Sequence, residues 1–244
     1  MLENFWITRL LNHLFAPAVV SLMNLVGVHP ADPSRPINDI FSLEVLVAVC
    51  LIVFFLIVRL TLSVEKPNPA QQIAEMIHEF TGSSASQIIG HNYERFQAFT
   101  TCVFLFIVIN NLLGLIPGVV TPTSAPVVPL GIALCTFLYY HFYGFKEQGF
   151  VGYLHHFAGP IWWLWWLLFP IEVVSHCARV MSLTIRLYAN MFASDLVTLV
   201  FFSLVPVGIP AIFLGLHAGV SLIQAYVFML LSMIYLSVAV SHEH

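Results

Sequence analysis

Residues 170–203 read PIEVVSHCARVMSLTIRLYANMFASDLVTLVFFS. The run is almost wholly apolar, and its few polar residues are not scattered. Glu172, Ser175, Arg179, Ser182, Arg186 and Asn190 recur every three or four positions. At about 100° per residue they all fall within roughly 40° of Arg186, one polar stripe on an apolar helix. Asp195 stands nine positions beyond Arg186 and points roughly the opposite way. At about 1.5 Å per residue the helix would be about 50 Å long, against a hydrocarbon layer of about 30 Å. It crosses a bilayer either broken or strongly tilted, and length alone does not decide which.

Arg186 is the residue that asks for a function. A guanidinium keeps its proton in a protein. Holding it at the centre of a membrane helix costs about 2.5–3.5 kcal/mol on insertion scales. Ser175 and Ser182 suit a helix contact held by small polar residues, but packing needs no permanent charge. Arg179 can snorkel toward the cytoplasm.

The rest of the chain agrees with a membrane protein. Of 244 residues 59% are hydrophobic and only 8% charged, where soluble domains carry about 25%. The net charge of −4 gives no reason to expect nucleic acid. Cys50, Cys102, Cys135 and Cys177 lie far apart in apolar stretches, without metal spacing, and read as apolar fillers. Glu3 and Arg9 interrupt the apolar start, which lacks the pattern of a secretory leader.

Residues 1–40 read as an N-terminal extracytoplasmic tail, with an amphipathic segment over 1–25 broken by Pro30, Pro33 and Pro36. Residues 41–244 read as a single membrane domain with spans at about 41–64, 96–117, 127–145, 170–203 and 210–241. Between the first two spans, residues 67–92 form an amphipathic helix too polar to cross, with Ile73, Met76, Ile77 and Phe80 on one face. Trp162, Trp163, Trp165 and Trp166 read as an interfacial aromatic belt. Arg59, Lys66 and Arg95 flank one side of the second span, and Lys146 follows the third. The positive-inside rule then places the Thr121 loop and the N-terminus outside and the C-terminus in the cytoplasm. The fold class expected is all-α: a polytopic integral membrane protein of about five membrane helices, the last two long, with an amphipathic surface helix.

On the last segment His217, Ser221, Gln224 and Tyr235 share a face by the same wheel. A lone membrane histidine is often hydrogen-bonded packing; one aligned with hydroxyls and an amide reads as the lining of a proton or ion route. Two other readings stand beside this one. His141, His155, His156, His176 and His217 could ligate haem in a membrane cytochrome, although His155 and His156 follow a Gly149/Gly152 loop. A purely structural anchor leaves Arg186 unexplained.

These residues resemble subunit a of the F-type ATP synthase, the static part of a proton-driven rotary motor. The strongest match is the run from Ile185 to Leu196, which resembles the family's arginine helix. Gln224 to Phe228 with Tyr235-Leu236 resembles its last helix, and Asn111 to Pro117 its second span. The resemblance implies two long, strongly tilted helices against a ring of c subunits, with the peripheral stalk subunit b, the bilayer and transported H⁺ as further partners. It implies Arg186 as the ring-facing charge. It implies an inlet past Asn190, Asp195, His217, Ser221, Gln224 and Tyr235, and an outlet near Glu172 and Ser175. Asp195 stands where the family usually has Glu, one methylene longer. The resemblance further implies no catalytic site, metal or cofactor in this subunit, and a bacterial inner membrane as its place.

Overall fold

The computed structural model describes residues 6–25, 36–63, 66–90, 92–116, 119, 121–158, 165–204 and 208–240. Among these residues all the regular structure is helical. The chain forms α1 (Trp6–Leu25), α2 (Asp39–Leu60), α3 (Pro69–Ile88), α4 (Glu94–Leu113), a 3-10 turn (Pro122–Ser124), α5 (Val127–Ala158), α6 (Trp165–Leu204) and α7 (Ile209–Val240). Five are long and apolar enough to cross a membrane: α2, α4, the Val127–Glu147 part of α5, α6, and Ala211–Val240 of α7. This is the expected all-α polytopic membrane fold.

Local chemistry sets the helix ends. Pro69 opens α3 at a position whose N–H has no helical acceptor. Gly90, at φ +77°, turns the chain after α3, a conformation open to glycine without a Cβ clash. Gly149 (φ +72°) kinks α5 rather than opening a loop, and helix continues through His155 and His156 to Ala158. The expected Gly149/Gly152 loop is thus a hinge between two helical pieces. Trp165 and Trp166 are exposed on the first turn of α6; Trp162 and Trp163 lie outside the described residues.

The core lies among α4, α5, α6 and α7. Val103 and Ile107, Ala133, Leu183, Leu187 and Met191, and Ala225 and Phe228 pack into one cluster. The helices share it unequally. Half of the apolar window of α4 is buried but only 11% of that of α6. The buried residues of α6 are His176, Leu183, Leu187 and Met191, a narrow stripe at helical spacing. The remainder of this 40-residue helix is half-buried or exposed. At about 1.5 Å per residue it is about 60 Å long, twice the hydrocarbon thickness.

The surface helix α3 packs in a way its apolar pattern did not foretell. It buries Gln71, Thr81, Gly82 and Ala85 and leaves Ile73, Met76 and Phe80 exposed. Of the expected apolar face, Ile77 alone joins a core cluster. The contact with α4 is polar: Thr81 Oγ1 lies 2.8 Å from Thr101 Oγ1, and Gln97 Nε2 donates to the His78 carbonyl at 2.6 Å. Small and hydrogen-bonding residues let helices approach closely, and the apolar side remains for lipid. At the start of the chain Asn12 exchanges two hydrogen bonds with the backbone of Ile37, tying α1 to the foot of α2.

Candidate functional site

The polar residues of α6 and α7 fall into two clusters and one exposed face. The first cluster surrounds Asp195. Thr121 Oγ1 donates to Asp195 Oδ1 at 2.8 Å, and His217 Nδ1 stands 3.8 Å from the same oxygen. His217 is almost fully buried at 1% exposure, whereas the Asp195 side chain keeps 26%. The carboxylate is therefore open on one side and faces an imidazole on the other.

The tautomer of His217 follows from its partners. Nε2 lies 3.2 Å from the Asn111 carbonyl, which only accepts, so Nε2 carries the proton and donates. In the neutral ring Nδ1 then accepts from Ser194 Oγ, 2.7 Å away. A second proton would settle on Nδ1, the nitrogen that faces Asp195. Asn111 is held in turn: its Oδ1 accepts from Thr123 Oγ1 at 2.6 Å, and its Nδ2 donates to the Ser221 carbonyl at 3.3 Å. Ser221 and Gln224 are buried on the His217 face of α7, toward the middle of the helix. Gly114 closes the cluster. A Cβ there would meet Thr121 Oγ1 at 1.9 Å and His217 Nε2 at 3.2 Å, so any side chain would wedge this site apart.

The second cluster lies toward the start of α6. Glu172 Oε1 is 3.3 Å from His176 Nε2 and 3.9 Å from Arg179 Nη2. His176 Nδ1 is 2.9 Å from the Tyr140 hydroxyl of α5. The Arg179 guanidinium lies over the Tyr235 ring at 5.3 Å, so Arg179 is held by an acid and a ring rather than reaching freely for water. Ser175 is half-buried on the turn between Glu172 and Arg179.

Between the clusters, Ser182, Arg186 and Asn190 sit on the exposed face of α6. Arg186 forms no ion pair or hydrogen bond with any of the described residues. Along the helix axis Asp195 and Glu172 are about 35 Å apart, with Arg186 between them, about 14 Å from the former and 21 Å from the latter.

The structure thus unites Asp195 with His217 and sets Ser221 and Gln224 on the same buried face. It leaves Asn190 on the outer face beside Arg186. It also moves Tyr235. The helical wheel aligned Tyr235 with His217, but the intervening residues of α7 carry it about 27 Å along the axis, into the Arg179 cluster. Sharing a face is not sharing a height. Sequence reading passed over Thr121, Thr123, Ser194, Asn111, Gly114 and the Tyr140–His176 pair. Only His176 carried a local signal, four positions after Glu172.

The haem alternative meets occupied ligands. Both ring nitrogens of His217 and of His176 already face protein partners.

A multi-pass membrane protein that keeps acids and histidines within its bilayer segments belongs to the class that handles ions or protons. The family described as ATP synthase A chain matches residues 40–237. The ATP synthase subunit a of Koribacter versatilis is 48% identical over 244 residues, covering 100% of both chains. That of Solibacter usitatus is 43% identical across 96% of this chain and 99% of its own. That of Bdellovibrio bacteriovorus is 42% identical across 70% of this chain and 75% of its own. The chain belongs to the ATP synthase subunit a family, and its role is that of a proton-translocating subunit in the membrane sector of the F-type ATP synthase.

Proposed function

We propose that this subunit forms two offset half-channels against a rotating ring of c subunits, with Arg186 as the barrier between them. The observation that carries the reading is Arg186 itself: a permanent charge on a bilayer helix, exposed and without a partner among the described residues. A charge so placed is tolerable when another chain supplies an acid, and a guanidinium presents a flat fork to a carboxylate. Ser182 and Asn190, on the same face, leave room beside it.

On this reading protons enter from outside past Asp195, His217, Ser221, Asn190 and Gln224 and neutralise a ring carboxylate. The neutral carboxyl then faces lipid without a buried charge. After nearly a full turn the proton leaves toward the cytoplasm past Ser175 and Glu172. Tyr235 belongs with the outlet by its position beside Arg179. The driving force is about 2.3 kcal/mol per charge per 100 mV. The N-terminal segment 1–40 lies outside, residues 41–244 form one membrane domain with a cytoplasmic C-terminus, and the long α6 and α7 are strongly tilted in a bacterial inner membrane. The subunit holds no catalytic site of its own, and the peripheral stalk subunit b anchors it.

Membrane vesicles carrying the whole complex test this. Arg186→Lys is expected to abolish ATP-driven pumping with normal assembly, because lysine is strongly hydrated and loses its proton more readily when buried. Arg186→Ala is expected to abolish pumping and raise passive proton permeability. Near-normal coupled pumping by Arg186→Lys would overturn the barrier role.

A further inference from the structure

We infer that His176 is a proton-relay residue of the outlet, passing protons between Tyr140 and Glu172. The inference rests on the reading of the Glu172 end as the outlet and adds a residue to it.

His176 is buried at 8% exposure on a helix that otherwise buries only Leu183, Leu187 and Met191. Packing alone would be served by an aliphatic residue there. Each ring nitrogen instead faces an ionisable group. Glu172 Oε1 lies 3.3 Å from Nε2 and the Tyr140 hydroxyl 2.9 Å from Nδ1. An ionised carboxylate only accepts, so Nε2 carries the proton and the tyrosine hydroxyl donates to Nδ1. The chain of donors is thus aligned in one direction, from Tyr140 toward Glu172.

Both ends of this chain are open. A crevice of about 10 Å³ lies beside Thr136, Tyr140, Arg179 and Tyr235, at the threshold for one water molecule. The Glu172 side chain is 34% exposed at the other end. Three further titratable or charged groups face this chain. His141, on α5, stacks edge-on at 4.9 Å, and Arg179 shares Glu172 with His176. On α7 the facing polar group is Tyr235, 6.2 Å from the Tyr140 ring.

The step balances as follows. Tyr140 gives its hydroxyl proton to Nδ1 and takes one from the crevice water, which is itself resupplied from the ring side. The imidazolium gives up the Nε2 proton to the Glu172 carboxylate. Glu172 releases that proton to cytoplasmic water. The ring is left neutral with its proton on Nδ1; a swing about its Cα–Cβ and Cβ–Cγ bonds that exchanges the places of the two nitrogens turns Nδ1–H toward Glu172 and the bare Nε2 toward Tyr140, so the next proton passes in the same direction.

The test uses vesicles with the intact complex and compares His176→Gln, His176→Ala and Tyr140→Phe with wild type. His176→Gln is expected to lower ATP-driven pumping about tenfold. That is less than the roughly hundredfold typical of a lost acid–base group, because Glu172 still stands at the mouth. A relay also predicts that added imidazole restores pumping by His176→Ala and that the variants lose the limb of the pH profile set by an imidazole. Tyr140→Phe is expected to lower pumping less than His176→Gln. Unchanged pumping by His176→Gln would overturn the relay, as would a uniform loss at every pH without imidazole rescue. Arg186→Ala is run alongside. If it still pumps, the half-channel reading itself fails; if it does not while His176→Gln pumps normally, the relay alone fails.

Discussion

A methyl group placed on Gly114 should disable the inlet without touching any ionisable residue. In Gly114→Ala the new Cβ would lie 1.9 Å from Thr121 Oγ1 and 3.1 Å from Thr121 Cβ. No contact survives at 1.9 Å, so the threonine hydroxyl must swing away or its loop must shift. Either movement breaks the 2.8 Å bond from Thr121 to Asp195. A hydrogen bond to a charged group contributes about 1.5–3 kcal/mol, so its loss lowers the population of aligned Asp195 carboxylate about ten- to hundredfold. Overpacking adds about 1–3 kcal/mol of destabilisation. Thr121→Ala separates the two effects by removing the hydroxyl and leaving space. Proton flux in vesicles and the amount of intact complex are measured for Gly114→Ala, Thr121→Ala and the double variant. Flux should fall at least about tenfold in all three, while assembly recovers in the double variant relative to Gly114→Ala. Wild-type flux in Gly114→Ala would refute the reasoning, because the clash leaves no route that spares the Thr121–Asp195 bond.

Other outcomes follow from the same geometry. Asp195→Ala and His217→Ala should each slow proton flux by about a hundredfold or more, with assembly largely intact; unchanged flux in both would remove them from the path. Gly82→Ala brings a Cβ within 2.7 Å of Gln97 Nε2 and should destabilise the α3–α4 contact by about 1–3 kcal/mol. A thermal melt of the assembled membrane sector reads this, and an unchanged melting point would count against the polar packing of α3.

The sequence carried the helices because their signals are local and strong. Long apolar runs and a three-to-four residue polar rhythm in 170–203 announce membrane helices before any contact is known. It carried the Asp195–His217 meeting less directly, through a wheel that turned Asp195 away from Arg186. It missed Thr121, Thr123 and the Asn111 carbonyl because a loop hydroxyl or a backbone oxygen has no periodicity to betray it. It placed α3 as a surface helix but left its contacts open, because an amphipathic pattern says which face is apolar and not what covers that face. In water the apolar face turns inward; beside lipid it can stay outside while Thr81, Gly82 and Gln97 make the protein contact. It misplaced Tyr235 because angle and height are independent coordinates of a helix.

The outer and inner faces of α6 bear on how one helix can serve two paths. Taking Arg186 as zero on the wheel, the buried stripe of His176, Leu183, Leu187 and Met191 centres about a quarter turn away, and Asp195 lies about a quarter turn beyond that. The apolar stripe that holds α6 to its neighbours therefore lies between the exposed arginine and the inlet acid. Leu187 and Met191 are essentially fully buried, and along α6 they lie between Glu172 and Asp195. In the half-channel reading a proton from Asp195 goes around the helix, over the face of Asn190 and Arg186, where a fixed positive charge repels it and a carboxylate brought by a partner can accept it. On the proposed reading the tight packing of Leu187 and Met191 and the charge of Arg186 act as one barrier, apolar on the inner side of the helix and electrostatic on the outer.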